Sequence, residues 1–195
     1  MADVPMNLRA RKKAETRDAL IDAAFALFRD RGYAETTVDH IAAAAGVSRS
    51  TFFRYFVSKE AVVFPYQPYR LERFRQLLAT PVAGETGFQT VRRACFSIAS
   101  EFVATRTRAL EQYAIISKTP ELRARESEID YGWEVGIFEH LQTLGTESGR
   151  ARVIAAATFA AVRATVRGWL ADGARGDLLG LGRDAFALLG RGFDG

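Results

Sequence analysis

Residues 36–61 read TTVDHIAAAAGVSRSTFFRYFVSKEA, and this stretch decides the fold. Thr36 or Thr37 is a cap for a short helix whose inner face is Val38, Ile41, Ala42 and Ala45 at helical spacing. Gly46 breaks that helix and permits a sharp reversal of the chain. Ser48 is the cap of the next helix, anchored inward by Val47 and by Phe52 and Phe56 at i, i+4. The small residues Ala42 to Ala45 let the two helices cross closely. Two short helices joined by a tight glycine turn form the helix-turn-helix plan. The outer face and N-terminal end of the second helix carry Ser48, Arg49, Ser50, Thr51, Phe53, Arg54 and Tyr55. Arginine and hydroxyl side chains at such a helix start suit base edges and phosphates in a major groove.

Working outward, the chain reads as helix after helix, and strand signals are nearly absent. Upstream, Leu20, Ile21, Ala24, Phe25, Leu27 and Phe28 form one apolar stripe that stops at Gly32. Downstream, Ser58 caps a fourth helix running toward Leu78, with a kink or pause at Pro65 and Pro68. A loop at Pro81, Gly84 and Gly87 precedes helices over about 87–105, 107–117, 120–145, 150–171 and 178–189. Thr119-Pro120-Glu121 is the sharpest of these start signals, combining a cap, a proline at the first position and an acid in the first turn. The expectation is an all-α chain of about nine helices, with a three-helix N-terminal DNA-binding unit and a C-terminal helical ligand-binding and dimerisation unit. Its segments are a flexible basic arm (1–13), the helix-turn-helix domain (14–59) and the regulatory domain (60–195).

The 195 residues are 48% apolar and carry a net charge of +4, a composition that fits a globular chain with a substantial core. Arg9, Arg11, Lys12, Lys13 and Arg17 stand against Asp3 and Glu15, so most of the positive excess sits in the first 17 residues. A basic arm is either an electrostatic footprint for nucleic acid or a solvated tail. The single cysteine, Cys95, makes no intramolecular disulfide and has no zinc-type cluster around it, which fits the cytoplasm. The longest apolar run, Val153 to Val162, is too short for a bilayer, so no membrane role is expected. There is no Gly-rich phosphate loop, no paired metal-ligand histidine and no nucleophile elbow, so the chain does not read as an enzyme and no cofactor or metal is expected. His40 and His140 are isolated and read as surface or structural residues.

The run from Thr36 to Ala61, with the preceding Phe28…Gly32-Tyr33 ending, resembles the DNA-binding domain of the TetR/AcrR family of bacterial transcriptional regulators. The resemblance covers roughly residues 14–62; beyond it the chain is similar only as an all-helical block of the right length. It implies that Thr37 donates to a phosphate and that Arg49, Ser50 and Thr51 reach base edges. It also implies that Phe53 packs on the sugar-phosphate backbone, without the hydroxyl of the usual tyrosine, and that Tyr55 and Lys59 meet phosphates. Asp39 and His40 depart from the pattern, because many relatives place a basic residue early in this helix, and Asp39 would repel phosphate.

The resemblance further implies a homodimer on a palindromic double-stranded operator, released by a small effector that binds among the later helices. The line Ala157, Ala161, Ala164 and Gly168, flanked by Ile154 and Trp169, suits pairing of the last helices between subunits. Aromatics are dense between residues 64 and 138, and Phe96, Phe102, Tyr113 and Trp133 are the candidate ligand contacts. That effector is apolar or amphipathic, with any acidic group met by Arg92, Arg93 or Arg106. The function expected is that of a ligand-responsive regulator, most often a repressor. The competing reading is a nucleic-acid-associated structural protein with no metabolite response.

Overall fold

The computed structural model describes residues 8–80 and 82–191. Ten helices follow in order: α1 (Leu8–Arg31), α2 (Val38–Ala44), α3 (Arg49–Tyr55), α4 (Lys59–Val63), α5 (Gln67–Ala79), α6 (Gly87–Ala104), α7 (Arg106–Ile116), α8 (Pro120–Thr143), α9 (Ser148–Ala171) and α10 (Leu178–Arg191). No strand occurs among the described residues. Ten helices replace the expected nine because the pause at the prolines is a full break. α4 ends at Val63, and α5 starts with Pro68 in its first turn, where a missing N–H costs nothing.

The chain divides into two compact units. The first takes the chain up to Pro65 together with Ala114–Leu122; the second takes Tyr66–Tyr113 and the chain from Arg123 onward. The expected division after residue 59 therefore falls a few residues early, since α4 stays with the first unit and a later segment joins it. The expected flexible arm also changes character. α1 begins at Leu8, so residues 8–13 are helical, with Arg11 and Glu15 paired at i, i+4. Residues 1–7 lie outside the described residues.

In the first unit, α1 packs against α2 and α4, and α2 packs against α3. Leu20, Ile21, Ala24, Phe25 and Phe28 of α1, Ile41 and Ala42 of α2, and Phe52 of α3 are all buried. Removing Phe52, wholly enclosed, from this core would cost about 3–5 kcal/mol. Gly46 adopts φ +68, the left-handed turn that the reversal between α2 and α3 requires.

The second unit holds two apolar clusters. One joins Phe74 and Leu78 of α5, Val91, Ala94 and Ile98 of α6, Trp133, Ile137 and Leu141 of α8, and Ala151 and Ala155 of α9. The other joins Ala109 of α7, Trp169 and Leu170 of α9, Ala174 and Leu178. Among the described residues, α9 is the helix long and apolar enough by composition to cross a membrane, and it packs Ala151, Ala155, Thr158, Trp169 and Leu170 inward.

Candidate nucleic-acid interface

Three side-chain caps shape the first unit's outer surface. The Thr37 hydroxyl accepts from the His40 backbone N–H at 3.2 Å, and the Thr37 N–H donates to His40 Nδ1 at 3.3 Å. This reciprocal pair gives His40 a structural task at the start of α2. The Ser48 oxygen accepts from the Thr51 N–H at 3.1 Å and lies 3.1 and 3.0 Å from the hydroxyls of Ser50 and Thr51. Ser58 caps α4 by accepting from the Ala61 N–H. Each cap satisfies a backbone N–H at the start of its short helix.

Along α3, Arg49, Ser50, Phe53 and Arg54 are exposed, and Thr51 and Tyr55 are half-buried. Phe52 turns inward and meets Phe53 edge to face and Phe56 at 5.8 Å. Phe53 is 44% exposed, a large apolar ring left outside. The Arg49 guanidinium lies 5.4 Å over that ring, and Arg54 lies 5.7 Å over Tyr55. Thr37 is exposed and its hydroxyl proton stays available to a donor role. Seven of the nine expected DNA-contacting residues (Thr37, Ser48, Arg49, Ser50, Thr51, Phe53 and Arg54) lie at the start of α2 and at the cap and first six residues of α3. Tyr55 is the eighth, placed between that face and the core.

Lys59 is the ninth, and it is already engaged. Its ammonium donates to the carbonyls of Tyr33 at 2.7 Å and Thr36 at 2.8 Å, and it lies 4.1 Å over the Tyr33 ring. Burial pulls the Lys59 pKa down, against the raising influence of Glu60, Glu121 and Glu35. Burial, with Glu60 and Glu121, pushes the Tyr33 phenol up to about 12. Lys59 thus ties α4 to the turn between α1 and α2. Its place in the resemblance could not reveal this, because the two acceptors are backbone carbonyls 26 and 23 residues away.

Two further contacts escaped sequence reasoning for the same reason. Arg17 donates to the Pro65 carbonyl and stacks 5.4 Å over Phe56, so one member of the basic N-terminal group serves the core. Arg49 Nη1 donates to Asp39 Oδ2 at 2.7 Å, joining the start of α3 to the first turn of α2. Asp39, read as a source of repulsion, is an ion-pair partner.

The candidate ligand contacts in the second unit lie in and around its two apolar clusters. Trp133 packs on Phe74 at 5.1 Å inside the first apolar cluster, Phe96 meets Phe186 at 5.8 Å, and Tyr113 lies against the second cluster. Phe102 touches both clusters beneath the buried Arg70 guanidinium, 4.2 Å from its ring. Phe96 lines an apolar cavity of about 30 Å³ with Cys95, Val162 and Val166. A larger cavity of about 760 Å³ is lined by Phe88, Leu141, Leu144, Arg150, Val153 and Leu189 among others, and by none of the four. Of the expected acid-binding arginines, Arg93 is held by Glu85 at 3.0 Å and by the carbonyls of Leu77 and Thr80. Arg92 and Arg106 are exposed.

On α9, Ala164 and Gly168 are exposed and Ala157 and Ala161 half-buried, with open space where a Gly168 side chain would stand. Val153 of α9 and Leu181 and Leu188 of α10 are also exposed. Trp169, expected to flank this line, is instead 3% exposed and part of the second cluster.

Comparison with known proteins accords with this geometry. Residues 20–64 match the family described as bacterial regulatory proteins, tetR family, and residues 85–194 match the MftR C-terminal domain. The chain is 31% identical over 124 residues to a protein of Mycobacterium tuberculosis named as a mycofactocin biosynthesis transcriptional regulator, MftR, covering 63% of this chain and 62% of that one. It is 44% identical over 84 residues to the HTH-type transcriptional regulator TcmR of Streptomyces glaucescens, covering 43% and 37%. These alignments therefore span less than two thirds of either relative. Among solved structures, Thermus thermophilus FadR, a TetR-family transcriptional repressor in complex with lauroyl-CoA, is similar at a TM-score of 0.55 and 28% identity, covering 89% of this chain and 92% of that one.

Proposed function

Because the chain belongs to the TetR family of bacterial regulatory proteins, we propose that it is a repressor that binds a palindromic operator as a homodimer and is released by an amphipathic effector. The observation that carries this reading is the outer face of α3. Arg49, Ser50, Phe53 and Arg54 stand exposed on a helix whose other side is locked by Phe52 and Phe56. A rigid, polar-tipped helix of this size fits the major groove, and the caps at Thr37 and Ser48 fix the starts of α2 and α3 through backbone N–H groups. Thr37, Tyr55 and Arg54 then meet backbone phosphates, which fix register, while Arg49, Ser50 and Thr51 address base edges.

Two heads reading two half-sites require a two-fold assembly. The exposed Ala164 and Gly168, with Val153, Leu181 and Leu188, supply the apolar, close-approach face for it. An effector shifts the population between states only by its difference in affinity for them. A coupling of about 1–3 kcal/mol, usual for allosteric linkage, changes operator affinity roughly 5- to 150-fold. The lauroyl-CoA bound to the FadR relative supports an effector with a long apolar chain and an acidic head.

The test is a gel shift with the DNA upstream of the gene, with and without lauroyl-CoA and shorter acyl chains, alongside a sedimentation measurement of oligomeric state. Sequence-specific binding by a dimer, weakened by the long-chain compound, is the expected result. Binding that ignores sequence and every amphipath would favour the architectural nucleic-acid role instead.

A further inference from the structure

We infer that Arg49 reads a guanine in each half-site and that Asp39 is the positioning residue that presents it. This rests on the operator-binding reading above and adds a base identity and a residue outside the expected contact set.

The pair has an unusual location. Asp39 sits in the first turn of α2 and Arg49 opens α3, so the bond between them spans the two helices of the reading head. Arg49 Nη1 and Asp39 Oδ2 are 2.7 Å apart, with side-chain exposures of 60% and 62%. An ion pair this exposed, even with its acid in the first turn of α2, adds little to folding, so stability alone is a weak account of it. That carboxylate also opposes approach to phosphate.

What the pair does is immobilise the guanidinium. Asp39 holds one end of it and the Phe53 ring, 5.4 Å away, supports its face. The Nε–Nη2 edge makes no hydrogen bond or ion pair among the described residues. That edge is the planar fork that matches guanine O6 and N7. The neighbouring hydroxyls of Ser50 and Thr51 are turned toward Ser48 and do not compete for Arg49. A fixed fork loses less rotamer freedom on binding than a free arginine does. The same carboxylate discourages the wrong complex, because an Arg49 that swings onto a phosphate brings that anion close to Asp39. Asp39 therefore lowers affinity for DNA in general and raises discrimination at one base.

The experiment uses the full chain. An operator is selected from random duplexes with the wild-type protein. Affinity is then measured for that operator, for the same duplex with each half-site guanine changed to 7-deazaguanine or adenine, and for an unrelated duplex. The wild type is expected to prefer guanine by about tenfold or more, the worth of one bidentate contact. Asp39→Asn should bind the unrelated duplex more tightly and bring the guanine preference toward one, with its thermal unfolding unchanged. Arg49→Ala should remove the preference, and adding Asp39→Asn to it should change the preference no further. The inference is overturned by selected half-sites without guanine, by an Asp39→Asn variant that keeps full preference, or by an Asp39 effect that persists without Arg49. Failure of the wild type to select any sequence would overturn the operator-binding reading itself, a result distinct from all three.

Discussion

The two units of the chain are built by different means. In the first, α2 and α3 have seven residues each and α4 has five, lengths at which an isolated helix does not persist in water. They persist because Thr37, Ser48 and Ser58 cap them and because Ile41, Phe52 and Val62 are driven into the core beside α1. In the second, α6, α8 and α9 run 18 to 24 residues. There, the packing of Phe74, Val91, Trp133 and Ile137 from three separate helices sets the structure. A reading head made this way is specified locally and tolerates little change. The second unit is specified by long-range fit between its helices.

The largest expected effects test that contrast through two aromatic deletions. Phe52→Ala and Trp133→Ala should each cost about 3–5 kcal/mol, measured by urea unfolding, because both rings are enclosed by their own unit. Phe52→Ala should abolish DNA binding outright, since α3 has little else to hold it. If Trp133→Ala left stability unchanged and altered only the effector response, Trp133 would be a cavity wall and the packing account of the second unit would fail.

Next in size is Lys59→Met. Losing two charge-assisted bonds to the Tyr33 and Thr36 carbonyls should cost about 1.5 kcal/mol, the low end for such bonds at a half-exposed site. The salt dependence of DNA binding separates this from a direct phosphate contact, whose loss lowers the slope by about one. A variant with wild-type stability and a reduced slope would return Lys59 to the DNA-contacting set.

A smaller effect belongs to Asp130 of α8. Burial first, then Glu126, pushes its carboxyl up to about 6, against the lowering influence of Arg167 and Arg163 at 3.8 Å. The folded state therefore binds a proton that the unfolded chain has already released. Between about pH 4 and 6 this group makes stability fall as pH rises. Asp130→Asn should stabilise the second unit at pH 7 by on the order of 1 kcal/mol and flatten that slope, because it removes the cost of burying the charge. Denaturant midpoints at pH 4.5 and 7 check the sign.

What the sequence made legible follows the same division. Caps, glycine turns and apolar stripes are local, so α2, α3, the Gly46 reversal and the outward set from Arg49 to Arg54 were readable from a few adjacent residues. Lys59, Arg17 and Asp39 have partners on other elements that local reading does not reach: Lys59 meets backbone 26 residues back, Arg17 meets Pro65 48 residues on, and Asp39 meets Arg49 across the turn. The resemblance implies phosphate for Lys59, the basic arm holding Arg17 reads as a nucleic-acid footprint or a solvated tail, and the charge of Asp39 reads as repulsion of phosphate; none of these shows the intramolecular partner. In the second unit, aromatic density does not separate a cavity wall from a core. Trp133 and Trp169 have the same composition signature as a ligand contact and are both buried in packed clusters. The pause at Pro65 and Pro68 was visible, but whether the chain bends or stops there depends on what Val63 and Phe64 bury against.

Cys95 carries the smallest expected effect and the finest test of the contrast. It is the chain's single cysteine, on α6 beside the cavity lined by Phe96 and Val166. Burial pushes its thiol up to about 12, so almost no thiolate is present at pH 8. A native-state alkylating reagent should therefore leave it unmodified, and Cys95→Ser should not change DNA binding. Cys95 is half-buried, so labelling faster than the native rate reports opening of the second unit, the first unit holding no cysteine. If the second unit is secured by distributed packing, Trp133→Ala should speed labelling far more than Phe52→Ala does. Equal acceleration by both would mean that the two units open together, and the division between a locally specified first unit and a separately packed second unit would not hold.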